Sequence, residues 1–174
     1  MIVRHAEKPV DGAAGVRADG SANDGSLTVQ GWQRAGALVG LFAPHQGAPR
    51  AGLATPARIY AAAPKTRAAQ RPLETVTPLA ARLGLSPDVR FAKGDEHLLA
   101  ADLAATTGPV LVSWQHEDVH HILARLGTIT PAYPRQWPDP RFDLVWVLTP
   151  QSGGGWAFTQ VPQLLLAGDG ADPA

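Results

Sequence analysis

Two pairs of residues in this chain have types suited to chemistry. Arg4-His5 follows the strand-like run "MIV", and His116-Glu117 follows the apolar run "PVLVSW" (109–114). A neutral imidazole is a competent nucleophile near pH 7, and an arginine grips an anion through a two-pronged fork of donors. The stretch "SWQHEDVHHIL" (113–123) offers a rival chemistry, because His116-Glu117-x-x-His120 has the letters of a zinc hydrolase. There the two histidines sit one turn apart on a helix and hold the metal, with the glutamate as general base. That arrangement needs His116 inside a helix, whereas its place directly after an apolar run puts it at a strand end. After His121 no histidine or glutamate remains, so a third ligand would have to be Asp139, Asp143, Asp169 or Asp172. His120 and His121 therefore read as ordinary helix residues.

The elements that must position these residues follow from the pattern of apolar side chains. "RIYAA" (58–62), "PVLVSW" (109–114) and "FDLVWVLT" (142–149) are short, rich in β-branched or aromatic residues, and bounded by Pro, Gly or charge, which predicts strands that are at least partly buried. Between them, residues 28–43, 71–84, 95–108 and 118–127 carry helical patterns, the second closing on Gly84 and the last on Gly127. Strands alternating with helices predict an α/β domain with a mostly parallel sheet. "WVLT" followed by "GGGWAFTQV" reads as a terminal hairpin. Residues 10–26 are Gly/Asp/Ala/Ser-rich without periodicity and predict a long loop, either a functional flap or a floppy insertion. The tail "AGDGADPA" predicts a frayed end. In an open α/β sheet, ligands bind beyond the carboxyl ends of the strands, so Arg4, His5 and His116 are expected at one edge. Taken singly, either histidine would read as a hydrogen-bonded, partly buried imidazole.

Composition bounds the rest. The 174 residues fit one domain able to bury about 70% of its unfolded surface. With 15 basic and 15 acidic side chains there is no net field to recruit nucleic acid or an anionic membrane, so any anion site must be local. The absence of cysteine excludes disulfides and thiolate chemistry. No apolar run approaches the roughly 18 residues of a membrane span and there is no export-type leader, so the expected location is cytoplasmic. "MIV" supplies only three strand-like residues, leaving room for a leader or an earlier part of that strand.

Four blocks in order, "VRHAEKP", "SLTVQGWQRA", "IYAAAPKTRAAQRPLETVTPLAARLGL" and "PVLVSWQHE", resemble the histidine phosphatase (phosphoglycerate mutase-like) superfamily over nearly the whole chain. The first matches its Arg-His-Gly motif with Ala6 in place of glycine. The second matches its Leu-Thr-x-x-Gly helix start at Leu27, Thr28 and Gly31. The resemblance implies a single three-layer α/β/α domain spanning residues 1–174 and a two-step phosphoryl transfer, in which His5 is phosphorylated and water then hydrolyses the phosphohistidine. Arg4 and His116 would clamp the phosphoryl group, whose spreading negative charge is stabilised by fixed cations. No metal or other cofactor is then required.

The further clamp arginine has two candidates one helical turn apart. Arg67 fits a Ser-Pro-x-x-Arg pattern read forward from "AAAPKTR", and Arg71 fits Arg-x-x-Gln/Glu-Thr-x-x-Pro-Leu-Ala read backward from "ETVTPLA". Arg71 is preferred, since loops before a helix accept insertions more readily than a helix register, and Pro72 suits a first turn; Arg67 is then a flanking anion contact. For the general acid that protonates a poor leaving group, "KGDEH" (93–97) supplies Glu96, with Asp95 next. Glu96 also reads as a first-turn carboxylate favoured by the helix dipole. Glu117 adjoins His116, and Lys8 would add a cation at the rim.

This chain departs from the family in having Trp114-Gln115 before its second histidine, where a small residue is common, and in lacking the extra segments with which mutases hold a phosphoglycerate. The expectation is therefore a phosphatase acting on a small phosphomonoester or a phosphoprotein rather than a mutase. A phosphohistidine phosphatase would need no general acid. A phosphate-binding module without turnover and, more remotely, a zinc hydrolase are the alternatives.

Overall fold

The computed structural model describes residues 1–10, 12–65 and 70–173. Six strands form one sheet: β1 (Ile2–Arg4), β2 (Arg58–Ala61), β3 (Val110–Trp114), β4 (Ile129–Thr130), β5 (Leu144–Pro150) and β6 (Trp156–Pro162), in the spatial order β2-β3-β1-β5-β6-β4. The half that carries Arg4 is parallel, with β1 and β2 flanking β3. β5 runs antiparallel to β1, and β6 antiparallel to β5 in the expected hairpin. The architecture is the α/β class anticipated, with an antiparallel hairpin joined to its parallel half. The two-residue β4, parallel to β6, has too short a pattern to be seen in the sequence.

The period-two alternation of the strands builds two cores. Ile2, Tyr60, Val112 and Trp146 point to one face, where they pack with Leu99, Ala100, Val119, Ile122 and Leu123. Val3, Ile59, Ala61, Leu111, Val145 and Val147 point to the other, against Leu38, Leu41, Phe42, Val76 and Leu79. Side chains on successive strand residues face opposite ways, so a buried central strand must be apolar on both faces. Helices α1 (Val29–Phe42) and α2 (Arg71–Leu83) cover the second face, and α3 (Glu96–Ala105) and α4 (Val119–Leu123) the first. No helix among the described residues is long and apolar enough to cross a membrane.

Local chemistry explains the helix boundaries. Thr28 caps α1 by accepting from Gly31 N at 3.1 Å. Pro72 sits in the first turn of α2, which ends at Gly84 with φ +66°. α4 is shorter than its expected 118–127 span: a 3₁₀ turn at His116–Asp118 precedes it, and single turns carry the chain from Leu123 to Gly127. The 10–26 segment is hydrogen-bonded where described. Val16 N donates to Leu27 O and Asn23 N to Gly15 O, a bridge pairs Val16 with Ala22, and the Trp32 indole donates to Val16 O. The tail is docked rather than frayed. Asp169 accepts from Arg34, Leu165 N and Leu166 N, and Gly170 N donates to Asp143 Oδ2.

Candidate functional site

β1, β2 and β3 lie side by side and end at the same edge of the sheet. Their register pairs Arg4 with Trp114 and Ala61 with Ser113. His5 N continues the ladder by donating to Trp114 O at 3.0 Å, which holds the first residue after β1 beside the loop that leads to His116. The imidazoles of His5 and His116 lie edge to face, their centroids 6.5 Å apart.

His5 is almost wholly buried. Its Nδ1 lies 2.8 Å from the carbonyl of Ala6, which can only accept, so Nδ1 carries the proton and Nε2 keeps its lone pair. Burial pushes the His5 pKa down to about 3; the Ala6 hydrogen bond opposes this, and the charges of Arg4, Arg71 and His116 reinforce it. The ring is therefore neutral at physiological pH, in the tautomer whose free nitrogen is the one remote from the backbone.

The loop that follows is held from two directions, and both holds explain sequence motifs. Thr75 on α2 accepts from Ala6 N at 2.8 Å and donates to Arg71 O at 2.7 Å. At the start of α1, Thr28 N and its hydroxyl both donate to Glu7 O. Gly31 packs so closely there that a Cβ would lie 2.6 Å from Glu7 O, which is why the Leu-Thr-x-x-Gly block ends on glycine. The Glu7 carboxylate is taken by Arg34, which also binds Gln163 and Asp169. Glu74 likewise faces the 12–26 segment, accepting from Ser26 and Leu27 N.

Arg4 is fully buried, with its guanidinium 3.9 Å over the Phe142 ring. Arg71 opens α2 and donates to Asp24 O at 3.2 Å. The Nε atoms of both arginines are buried donors with no hydrogen-bond partner among the described residues. His116 Nδ1 also lacks a hydrogen-bond partner among the described residues, although it lies 2.8 Å from Glu117 Oε2. Burial, then Arg4, lowers the His116 pKa against the opposing pull of Glu117 and Asp139. Buried donors without partners cost roughly 1–3 kcal/mol each, a cost that an anion seated among them would remove. Lys8 stands near enough for its charge to act on His116.

The carboxylates are distributed differently from the sequence expectation. Glu96 is buried, and its Oε1 accepts from Gly94 N at 3.0 Å and from the Trp114 indole at 3.1 Å. Asp95 accepts from Ala92 N. Both accept hydrogen bonds from the backbone just before α3, and Glu96, the preferred acid of the sequence, also accepts from the Trp114 indole. The carboxylate whose field reaches both Arg4 and Arg71 is Glu117. Burial would raise its pKa, but hydrogen bonds from Lys93 and its own backbone, with the nearby charges of His116 and Lys93, hold it at about 2. Arg67, the other clamp candidate, lies outside the described residues.

Two contributors escaped the sequence reading. Lys93 binds Glu117 at 2.8 Å and Asp118 at 2.9 Å, adding a cation at the rim. Asp139, considered only as a distant metal ligand, reaches Arg4 and His116 from a loop before β5. Its only sequence signal is the constrained "PDP" context, which announces a rigid turn without saying where it points. His116 lies in the 3₁₀ turn while His120 lies on α4 against His121, ring centroids 3.8 Å apart, so the His-Glu-x-x-His spacing does not place both histidines on one helix. Among the described residues no group of three or more His, Asp or Glu is arranged to hold a metal.

No family profile matches the sequence. No curated protein matches it either. Among solved structures, the protein histidine phosphatase SixA, complexed with tungstate, aligns with 93% of this chain and 95% of its own at 21% identity, with a TM-score of 0.59. The six-stranded sheet and its flanking helices thus have the phosphoglycerate mutase-like fold of that histidine phosphatase.

Proposed function

We propose that this chain is a single-domain, metal-independent phosphohydrolase that works through a phosphohistidine at His5. The observation that carries this reading is the His5 ring itself, held neutral with Nδ1–H on Ala6 O and surrounded by Arg4, Arg71 and His116. In the first step the Nε2 lone pair forms a bond to phosphorus as the bond from phosphorus to the leaving group breaks. Arg4, Arg71 and His116 stabilise the charge on the equatorial oxygens, the task a metal performs elsewhere. In the second step water attacks the phosphohistidine, inorganic phosphate departs, and the neutral imidazole returns. Arg71 serves as the second clamp arginine, since it opens the helix whose Thr75 fixes Ala6.

The proton for the leaving group is the weak part of this machinery. Glu96 is spent on Trp114, and Glu117 is held ionised by Lys93. A good general acid has its pKa near the working pH. The site is thus suited to leaving groups that need little protonation, such as aryl phosphates or phosphoramidates. One solved structure similar in fold is of a protein histidine phosphatase, which fits that class of substrate.

The test is hydrolysis of an aryl phosphate by wild type and His5→Ala, each with and without EDTA. Activity unaffected by chelation and reduced at least about a thousandfold in His5→Ala is expected, since removing a covalent nucleophile typically costs that much or more. EDTA-sensitive activity that persists in His5→Ala would refute the proposal. Tight phosphate binding without turnover on any substrate would turn it into a binding module.

A further inference from the structure

The mouth of the pocket holds an anion supplied by the chain. Asp139 Oδ1 lies 3.2 Å from Arg4 Nη2 and 3.1 Å from His116 Nε2, and the Asp139 carbonyl accepts from Arg4 Nη1. One carboxylate oxygen thus accepts from Arg4 and lies 3.1 Å from His116 Nε2, two groups that, on the functional reading above, grip the phosphoryl group. The burial of the partners is lopsided: the Arg4 side chain is fully buried, whereas that of Asp139 is 79% exposed. The carboxylate therefore faces solvent while the guanidinium it binds is buried.

The turn that presents it is stiff. Pro138 and Pro140 fix φ on either side of Asp139, and Arg141 N donates to Pro138 O at 3.0 Å. The turn is pinned at both ends. Trp137 stacks on Trp146 at 4.7 Å and donates to Arg141 O, and Phe142 lies under the Arg4 guanidinium. A pinned turn carries its side chain at a fixed station, so displacing the carboxylate requires only rotation of an exposed side chain about its own bonds.

We propose that Asp139 is a built-in competitor for the phosphoryl site, a carboxylate that occupies the clamp donors until a substrate phosphate displaces it. The inference rests on Arg4 and His116 being phosphoryl clamps. Apparent affinity is then the intrinsic affinity reduced by the fraction of molecules whose clamp is open. Selectivity also follows, because a dianionic phosphoryl group with three oxygens outcompetes one carboxylate oxygen, whereas a monoanionic carboxylate or sulfate ester has little advantage over it.

The experiment is calorimetric titration of inorganic phosphate into wild type and Asp139→Asn, at low salt and at 0.5 M salt, with KM and kcat measured on an aryl phosphate. Asparagine keeps the size and the backbone contact and removes the charge at an exposed position. We expect phosphate to bind Asp139→Asn about threefold to tenfold more tightly, with KM falling by the same factor. The ratio should persist at 0.5 M salt, because a contact near 3 Å lies within the screening length there. Unchanged or weaker phosphate binding in the variant would overturn the competitor role. So would a gain that vanishes in salt, which would reveal only a distant field effect, or a collapse of kcat, which would make Asp139 a participant in turnover. Absence of phosphate binding in both proteins would overturn the clamp reading and this inference with it.

Discussion

Thr75→Val isolates the hold that α2 has on the nucleophile's loop. The Thr75 hydroxyl is buried, accepts from Ala6 N at 2.8 Å and donates to Arg71 O at 2.7 Å. Valine has the same shape, so packing is retained and only the polar contacts are lost. Ala6 is fully buried, leaving its N–H with no access to water. An orphaned buried donor costs about 1–3 kcal/mol, and the freed Arg71 carbonyl adds little because it is a helix acceptor; about 2 kcal/mol is the central expectation. For a domain of this size that lowers the melting temperature by about 4–8 °C. Thr75→Ser restores the hydroxyl and removes one methyl, so it should cost only about 1 kcal/mol. Catalysis should respond as well, because Ala6 O fixes the His5 tautomer; a displacement of that loop is expected to lower kcat by about ten- to a hundredfold. Urea or thermal unfolding, with kcat measured alongside, decides the matter. A valine variant that melts within about 1 °C of wild type, or a serine variant as impaired as the valine one, would refute the role assigned to this hydroxyl.

Gly31→Ala places a Cβ 2.6 Å from Glu7 O and should destabilise by about 1–3 kcal/mol, while Gly36→Ala on the same helix meets nothing within 4 Å and should stabilise by up to about 1 kcal/mol; chemical denaturation of the two variants checks the contrast. The His5 pKa is lowered to about 3 in the fold, so the unfolded chain binds the extra proton first as pH falls below the ordinary value of 6.5. Its contribution to stability is therefore present above pH 6.5 and lost on acidification, at up to about 1.4 kcal/mol per pH unit, and His5→Asn should flatten that part of a stability-versus-pH curve. By the same shift, kcat/KM should show no acid limb near pH 6.5 attributable to His5. Glu96→Gln preserves an oxygen that can accept from Gly94 N and the Trp114 indole, so its activity on alkyl and aryl phosphates should change in parallel; selective loss on the alkyl substrate would restore Glu96 as the general acid.

Much of the frame was legible because it rests on local chemistry. The apolar alternation in "IVR", "RIYA" and "VLVSW" announced strands buried on both faces, and Thr28, Pro72 and Gly84 marked helix ends by capping and turn geometry. His5 and His116 were placed at one sheet edge by topology alone. The failures share a physical origin in long-range pairing. Nothing near Glu96 says that an indole 18 residues away donates to its carboxylate. Asp139 meets Arg4 across 135 positions, and the tail's Asp169 meets Arg34 across the same separation. Residues 10–26 looked unstructured because much of their order comes from Trp32 and Glu74, outside the segment.

The placement of β1 also bears on how the chain assembles. The strand that ends at Arg4, just before His5, is central, yet both its neighbours, β3 and β5, lie more than a hundred positions further along. Closing such long loops costs entropy before any contact repays it, so folds dominated by distant pairings form slowly. Helices α1 and α2, which touch each other early in the chain, have the short separations of a fast nucleus. Pairing β1 with β3 and β5 is therefore a long closure, and the site, whose side chains come from residues 4 to 139, depends on it.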